Sequence, residues 1–111
     1  MKPWTIEYWA DARGKQSVED WLNHLTKDEL KSALKELRML ELCGNNLKLP
    51  HSKSLGKGLF ELRERRYGYR IYYGFHGSKI IVLLHAGNKA SQKNDIKVAR
   101  ERLAQLIEET L

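Results

Sequence analysis

Between Leu55 and Lys93 the chain sets Arg63, Arg70, His85 and Lys89 among apolar runs. This distribution puts cations and one titratable ring on strands and on the loop that leaves them. A planar guanidinium can hold two phosphate oxygens at once, an ammonium can neutralise developing charge, and an imidazole can move a proton near neutral pH. A small protein with such groups on a rigid sheet is equipped to grip, and to cleave, a phosphate backbone. The same residues fit a plainer role, because cations on a sheet face can be its solvated side. Arg70 in particular could form an ion pair with Glu61 across adjacent strands, and His85 could be a satisfied core residue.

The elements that must position these groups follow from hydrophobic periodicity. Trp4-Thr5-Ile6-Glu7-Tyr8-Trp9 is rich in aromatic and β-branched residues and predicts a first strand. Ser17, with Asp20 three residues on, opens a short helix that places Val18, Trp21, Leu22 and Leu25 on one face and stops near Leu25. Thr26-Lys27-Asp28-Glu29 is a capping box for a second helix. Its buried stripe is Leu30, Ala33, Leu34, Leu37, Leu40 and Cys43, with Lys31, Lys35, Glu36, Arg38 and Glu41 facing water and Gly44 closing it. The two helices should form an antiparallel hairpin packed on the sheet.

Asn45 to Lys57 predicts a polar surface loop. Three strands follow as an antiparallel meander. In the first, Phe60 and Leu62 face the core while Glu61, Arg63 and Arg65 face away. In the second, Tyr69, Ile71, Tyr73 and Phe75 oppose Arg70, Tyr72 and His76. The third, Ile80 to Leu84, is apolar on both faces, as in a strand buried from both sides. From Ser91 or Asn94 a last helix carries Ile96, Ala99, Leu103, Leu106 and Ile107 on one face. The expected fold is α+β: two N-terminal helices and a C-terminal helix on a mostly antiparallel four-stranded sheet, in the order β-α-α-β-β-β-α.

The 111 residues suit a single domain, 1–111, with one core. Twenty Lys and Arg against fourteen Asp and Glu give a net charge of +6, which favours nucleic acid or an acidic protein as partner. Cys43 is the only cysteine, so neither an intrachain disulfide nor a thiolate zinc site is available. The N-terminal residues lack the apolar core of a signal peptide, and the run Ile80–Leu84 is far too short to span a bilayer, so a cytoplasmic protein with no membrane partner is expected.

The order of these segments resembles the RelE/ParE superfamily of toxins from bacterial type II toxin-antitoxin modules. Within it, the chain is most similar to the addiction module killer proteins near the HigB and phage Gp49-like toxins. The resemblance runs through Trp21-Leu22, Leu42-Cys43-Gly44-Asn45, Gly58-Leu59-Phe60-Glu61-Leu62-Arg63 and Gly68-Tyr69-Arg70-Ile71-Tyr72-Tyr73. It continues from Leu83 through His85-Ala86-Gly87-Asn88-Lys89 to Ser91-Gln92-Lys93-Asn94-Asp95-Ile96. It implies a RelE-like fold, no metal and no cofactor, and a cognate antitoxin, of helix-turn-helix type in relatives of this group. It also implies a ribosome-dependent mRNA endonuclease in which the ribose 2′-hydroxyl attacks the adjacent phosphate. ParE-like relatives on the same fold instead poison DNA gyrase, and a non-toxic RNA-binding module is a third reading.

The resemblance also distributes roles. Arg70 matches the strand arginine that follows Gly-Tyr in the RNA-cutting members. Arg63 and Glu61 fall where RelE itself has two strand lysines; one is acidic here, so that lysine mechanism does not carry over intact, and Glu61 becomes either a base or a salt-bridge partner. Lys89 sits where the superfamily often carries a basic residue at the cleft, and His85 is placed for proton transfer. The expected catalytic set is thus Arg70, Lys89, His85, Glu61 and Arg63. RNA contacts are expected from His51, Lys53, Lys57, Arg65, Arg66 and Lys93, with Tyr72 stacking on a base because it shares a face with Arg70.

Overall fold

The computed structural model describes residues 3–109, so Met1, Lys2, Thr110 and Leu111 of the expected domain lie outside the described residues. The strands are β1 (Thr5–Tyr8), β2 (Ser52–Gly56), β3 (Leu59–Glu64), β4 (Tyr69–Phe75) and β5 (Ile80–Asn88). The helices are α1 (Ser17–Asn23), α2 (Lys27–Cys43) and α3 (Gln92–Glu109), and a short 3₁₀ turn spans Gly44–Asn46. The strands form one sheet in the order β1-β5-β4-β3-β2, parallel between β1 and β5 and antiparallel elsewhere.

The sheet has five strands, not four. The extra strand, Ser52–Gly56, lies within the stretch expected to be surface loop. Its exposed Lys53, Ser54 and Gly56 give it no apolar signature, and only pairing with β3 defines it. Ser52 alone is buried, where its hydroxyl meets the Tyr73 hydroxyl at 2.5 Å. Local propensity is a weak guide for such an edge strand.

Two apolar cores flank the sheet. On one face Val18, Leu22, Ala33, Leu37 and Leu40 of α1 and α2 pack on Leu62, Ile71, Tyr73, Ile81, Leu83 and Ala86. On the other, Ala99 and Leu103 of α3 pack on Leu59, Tyr72, Val82 and Leu84. Strand β5, between β1 and β4, is therefore buried from both sides, as its continuous apolar run predicts. The charged side of β3 and β4 is correspondingly the face that α3 covers.

Helix α2 begins with the capping box its sequence predicts: Glu29 N–H donates to Thr26 Oγ1 at 3.3 Å, and Thr26 N–H to Glu29 Oε1 at 2.8 Å. Its stripe is rotated from the predicted one, with Leu34 48% exposed and Glu36 buried against His51. The helix ends at Gly44, whose φ is +52° and where a β-carbon would overlap the Trp4 indole. Ser17 does not cap α1. Gln16 holds that position without a side-chain bond, and Ser17 Oγ instead accepts from Arg102 of α3 at 2.9 Å. No described helix is long and apolar enough to cross a membrane.

Glu29 also accepts the Tyr69 hydroxyl at 2.5 Å, so one carboxylate joins the start of α2 to the start of β4. This bond lowers the Glu29 pKa, and the same carboxylate pushes the Tyr69 hydroxyl up to about 12. The interaction is complete at neutral pH. It weakens in acid as pH falls through the depressed Glu29 value, and in alkali as pH rises from 10 towards 12. In a carboxyl-detected NMR titration the Tyr69→Phe protein should return Glu29 towards its ordinary value. An unmoved Glu29 titration would show that the hydroxyl does not hold this carboxylate.

Candidate functional site

Register brings the site together. Across β2, β3, β4 and β5 the paired residues Lys53, Glu61, Tyr72 and His85 form one row on the α3 face, and Arg63, Arg70 and Gly87 form the next. A bulge opposite Tyr72 inserts one residue into β5, so that Leu84 packs on α3 while His85, next in sequence, also bonds to α3. Strict alternation would have sent His85 to the opposite face.

Glu61 is 1% exposed and is the centre of this arrangement. Its Oε1 lies 3.5 Å from Arg70 Nε and 3.6 Å from Arg63 Nε, and its Oε2 accepts from Gln92 Nε2 at 2.8 Å. Arg70 is itself buried, and its Nη1 donates to the Gly68 carbonyl at 3.0 Å. One buried carboxylate thus faces two guanidinium groups and the first turn of α3. Like-charged arginines on paired strands would otherwise repel, and the shared anion fixes both.

The turn between β3 and β4 is held by a second buried carboxylate. Glu64 accepts from the backbone N–H of Arg66 at 3.0 Å, from that of Tyr67 at 2.9 Å and from the Ser32 hydroxyl at 2.6 Å. This collection of donors shapes the loop that carries Arg65 and the Gly68 carbonyl. Arg63, Glu64, Arg65, Gly68, Tyr69, Arg70 and Lys89 line a hollow of about 170 Å³ at this end of the sheet. Four cations line it against one carboxylate, and that carboxylate is already engaged by the turn.

His85 stands behind the hollow and does not line it. Its Nε2 is 2.8 Å from Asp95 Oδ1 and its Nδ1 is 3.1 Å from Arg102 Nη1. A guanidinium only donates, so Nδ1 accepts and the ring proton sits on Nε2, where it donates to Asp95. Both nitrogens are engaged in holding α3. Arg102 also donates to the Leu84 carbonyl at 2.7 Å and stacks over Trp9 at 4.3 Å, while Asp95 accepts from Ser91 Oγ at 2.5 Å. Gly87 makes room for this contact, since a β-carbon there would lie 1.9 Å from Asp95 Oδ2.

Of the residues expected at the site, Arg63, Arg65, Arg70 and Lys89 are together. Glu61 supports the two strand arginines from behind. Lys53 shares the Glu61 row on the exposed edge strand, and Lys93 is exposed in the first turn of α3 beside Gln92. Arg66 is on the same turn as Arg65 but lies over the Tyr67 ring at 5.3 Å. The other three expected residues lie outside the hollow. Tyr72 is 0% exposed and cannot stack on a base; burial first, then Glu61 and Asp95, raises its pKa. His51 lies on the α2 side, bonded to Glu36 at 3.2 Å. Lys57 occupies the β2–β3 turn, roughly 20 Å along the strand from Arg63 at the usual rise per residue.

Sequence reasoning did not single out Asp95, Gln92 or Arg102. Their helical spacing at positions 92, 95, 99, 102 and 103 is the signal, because it places polar residues on the same α3 face as Ala99 and Leu103.

A family model described as "Phage derived protein Gp49-like (DUF891)" matches residues 20–104. An uncharacterized protein of Haemophilus influenzae is 35% identical, over 68% of this chain and 84% of its own length. Among solved structures, the isolated E. coli RelE toxin superposes with a TM-score of 0.54 at 13% identity, covering 86% of this chain and 98% of that one.

Removing the shared anion should cost stability. Glu61→Ala leaves Arg70 buried without its partner and should lower unfolding free energy by about 3–5 kcal/mol in urea denaturation. A loss below about 1 kcal/mol would mean the ion pair does not organise this end of the sheet.

Proposed function

The chain belongs to the phage-derived Gp49-like family and carries the RelE/ParE fold, and from that premise we propose that it is the toxin of a type II toxin-antitoxin module, acting as a ribosome-dependent mRNA endonuclease. One observation carries this: Arg70 and Lys89, from a strand and from a loop far apart in sequence, line the same hollow with Arg63. A backbone phosphate lodged there would meet guanidinium and ammonium groups from separate segments.

The reaction is an internal transfer. The ribose 2′-oxygen bonds to phosphorus as the bond from phosphorus to the 5′-oxygen breaks, leaving a 2′,3′-cyclic phosphate and a 5′-hydroxyl. Arg70 and Arg63 hold the non-bridging oxygens as negative charge grows on them, and Lys89 gives its proton to the departing 5′-oxygen. The proton of the 2′-hydroxyl leaves to water on the open side of the hollow. Glu61 acts through the arginines it fixes, and His85 through Asp95 and α3. No metal or cofactor takes part.

Charge also suggests the means of control. An acidic segment of a cognate antitoxin laid over the hollow would meet the cations that bind RNA and exclude it. Toxin and antitoxin would act in the cytoplasm, where translating ribosomes present the messenger.

Induced expression tests this reading. The parent protein should stop translation and leave transcripts broken within codons, whereas Arg70→Ala and Lys89→Ala, at equal abundance, should each reduce cleavage about 100-fold and restore growth. Arrest by both variants as strong as the parent's would refute the site. Chromosome breaks with intact transcripts would mark a gyrase poison instead.

A further inference from the structure

A second and larger hollow, of about 600 Å³, opens between α2 and the β3–β4 turn, lined by Lys31, Ser32, Lys35, Arg65 and Arg66 with Asp28, Glu36 and Glu64. Two of its three carboxylates are already committed. Glu64 takes the turn amides and the Ser32 hydroxyl, and Glu36 takes His51. The four cations have no carboxylate partner among the described residues, and all four are exposed. Glu36 and Glu64 are buried and Asp28 is the exposed carboxylate of the lining, so the surface open to solvent carries four cations against one anion and attracts negative charge.

Arg65 lines both hollows. The groove and the Arg70 hollow are therefore neighbours around one turn, and that turn is fixed by the Glu64 carboxylate. We propose that the groove formed by Lys31, Lys35, Arg65 and Arg66 is a second binding site for a nucleic-acid backbone, engaging phosphates of a single strand beyond the phosphate held at Arg70. The inference deepens the nuclease reading and rests on it. Continuity through Arg65 favours a polyanion with regularly spaced charge over an acidic peptide. The groove supplies position and affinity, not chemistry, because Lys31 and Lys35 lie on α2, away from Lys89.

The test uses a fluorescent single-stranded RNA with 2′-O-methyl sugars, which binds but cannot be cut. Anisotropy is measured over a range of salt for the parent, for Lys31→Ala/Lys35→Ala and for Arg70→Lys. Each single-strand phosphate contact contributes about 0.7 to the slope of log affinity against log salt, so losing two should make the slope shallower by about 1.4. Both lysines are solvent-exposed on α2, and alanine suits the helix, so the double variant should fold as the parent does. An unchanged slope in the double variant, with Arg70→Lys weakened, would overturn the groove and leave the Arg70 hollow standing. An unchanged RNA slope with loss of poly-glutamate binding would assign the groove to an acidic peptide. RNA affinity unaltered in both variants would overturn the groove and the nuclease reading together.

Discussion

A single buried carboxylate, Glu61, determines how this end of the molecule is built. It lies between Arg63 and Arg70 on paired strands and receives Gln92 from α3. A carboxylate so enclosed is costly to desolvate, and two guanidinium charges and one bond from the Gln92 amide offset that cost. In return the arginines are held at fixed positions instead of swinging in solvent. Such pre-orientation is what a phosphate site requires, since freedom lost before binding need not be lost on binding.

The same face explains why α3 closes on this sheet as it does. Apolar contact through Ala99 and Leu103 gives it a seat, while Gln92, Asp95 and Arg102 give it register. The β5 bulge brings His85 to Asp95, and Gly87 lets that carboxylate come close. His85 thus links β5 to two residues of α3, Asp95 through Nε2 and Arg102 through Nδ1. Helix and cationic hollow are thereby coupled: a partner that lifts the first turn of α3 removes Gln92 from Glu61 and loosens the aim of both arginines.

Much of this was legible in the residues. The capping box at Thr26, the continuous apolar run of β5 and the alternation of Tyr69, Ile71 and Tyr73 against Arg70 and Tyr72 each appear as their periodicity predicts. Arg70 and Lys89, which the family resemblance singles out, line one hollow. The polar strand Ser52–Gly56 was not legible, since only the neighbouring strand makes it one. Tyr72 was misassigned because sharing a face with Arg70 does not reveal that α3 covers that face. Glu36, expected to face water, is buried for a related reason: a charged residue at a helical position looks solvated until the partner that buries it, here His51, is known.

Convergence of cations from separate segments on one phosphate is the central claim, and side-chain NMR of Arg63, Arg70 and Lys89 during titration with a short, uncleavable RNA tests it most directly. The account predicts that the guanidinium signals of both arginines and the ammonium signal of Lys89 shift together, with one dissociation constant. Movement of Lys89 alone, with Arg70 still reporting only its contact with Glu61, would contradict it.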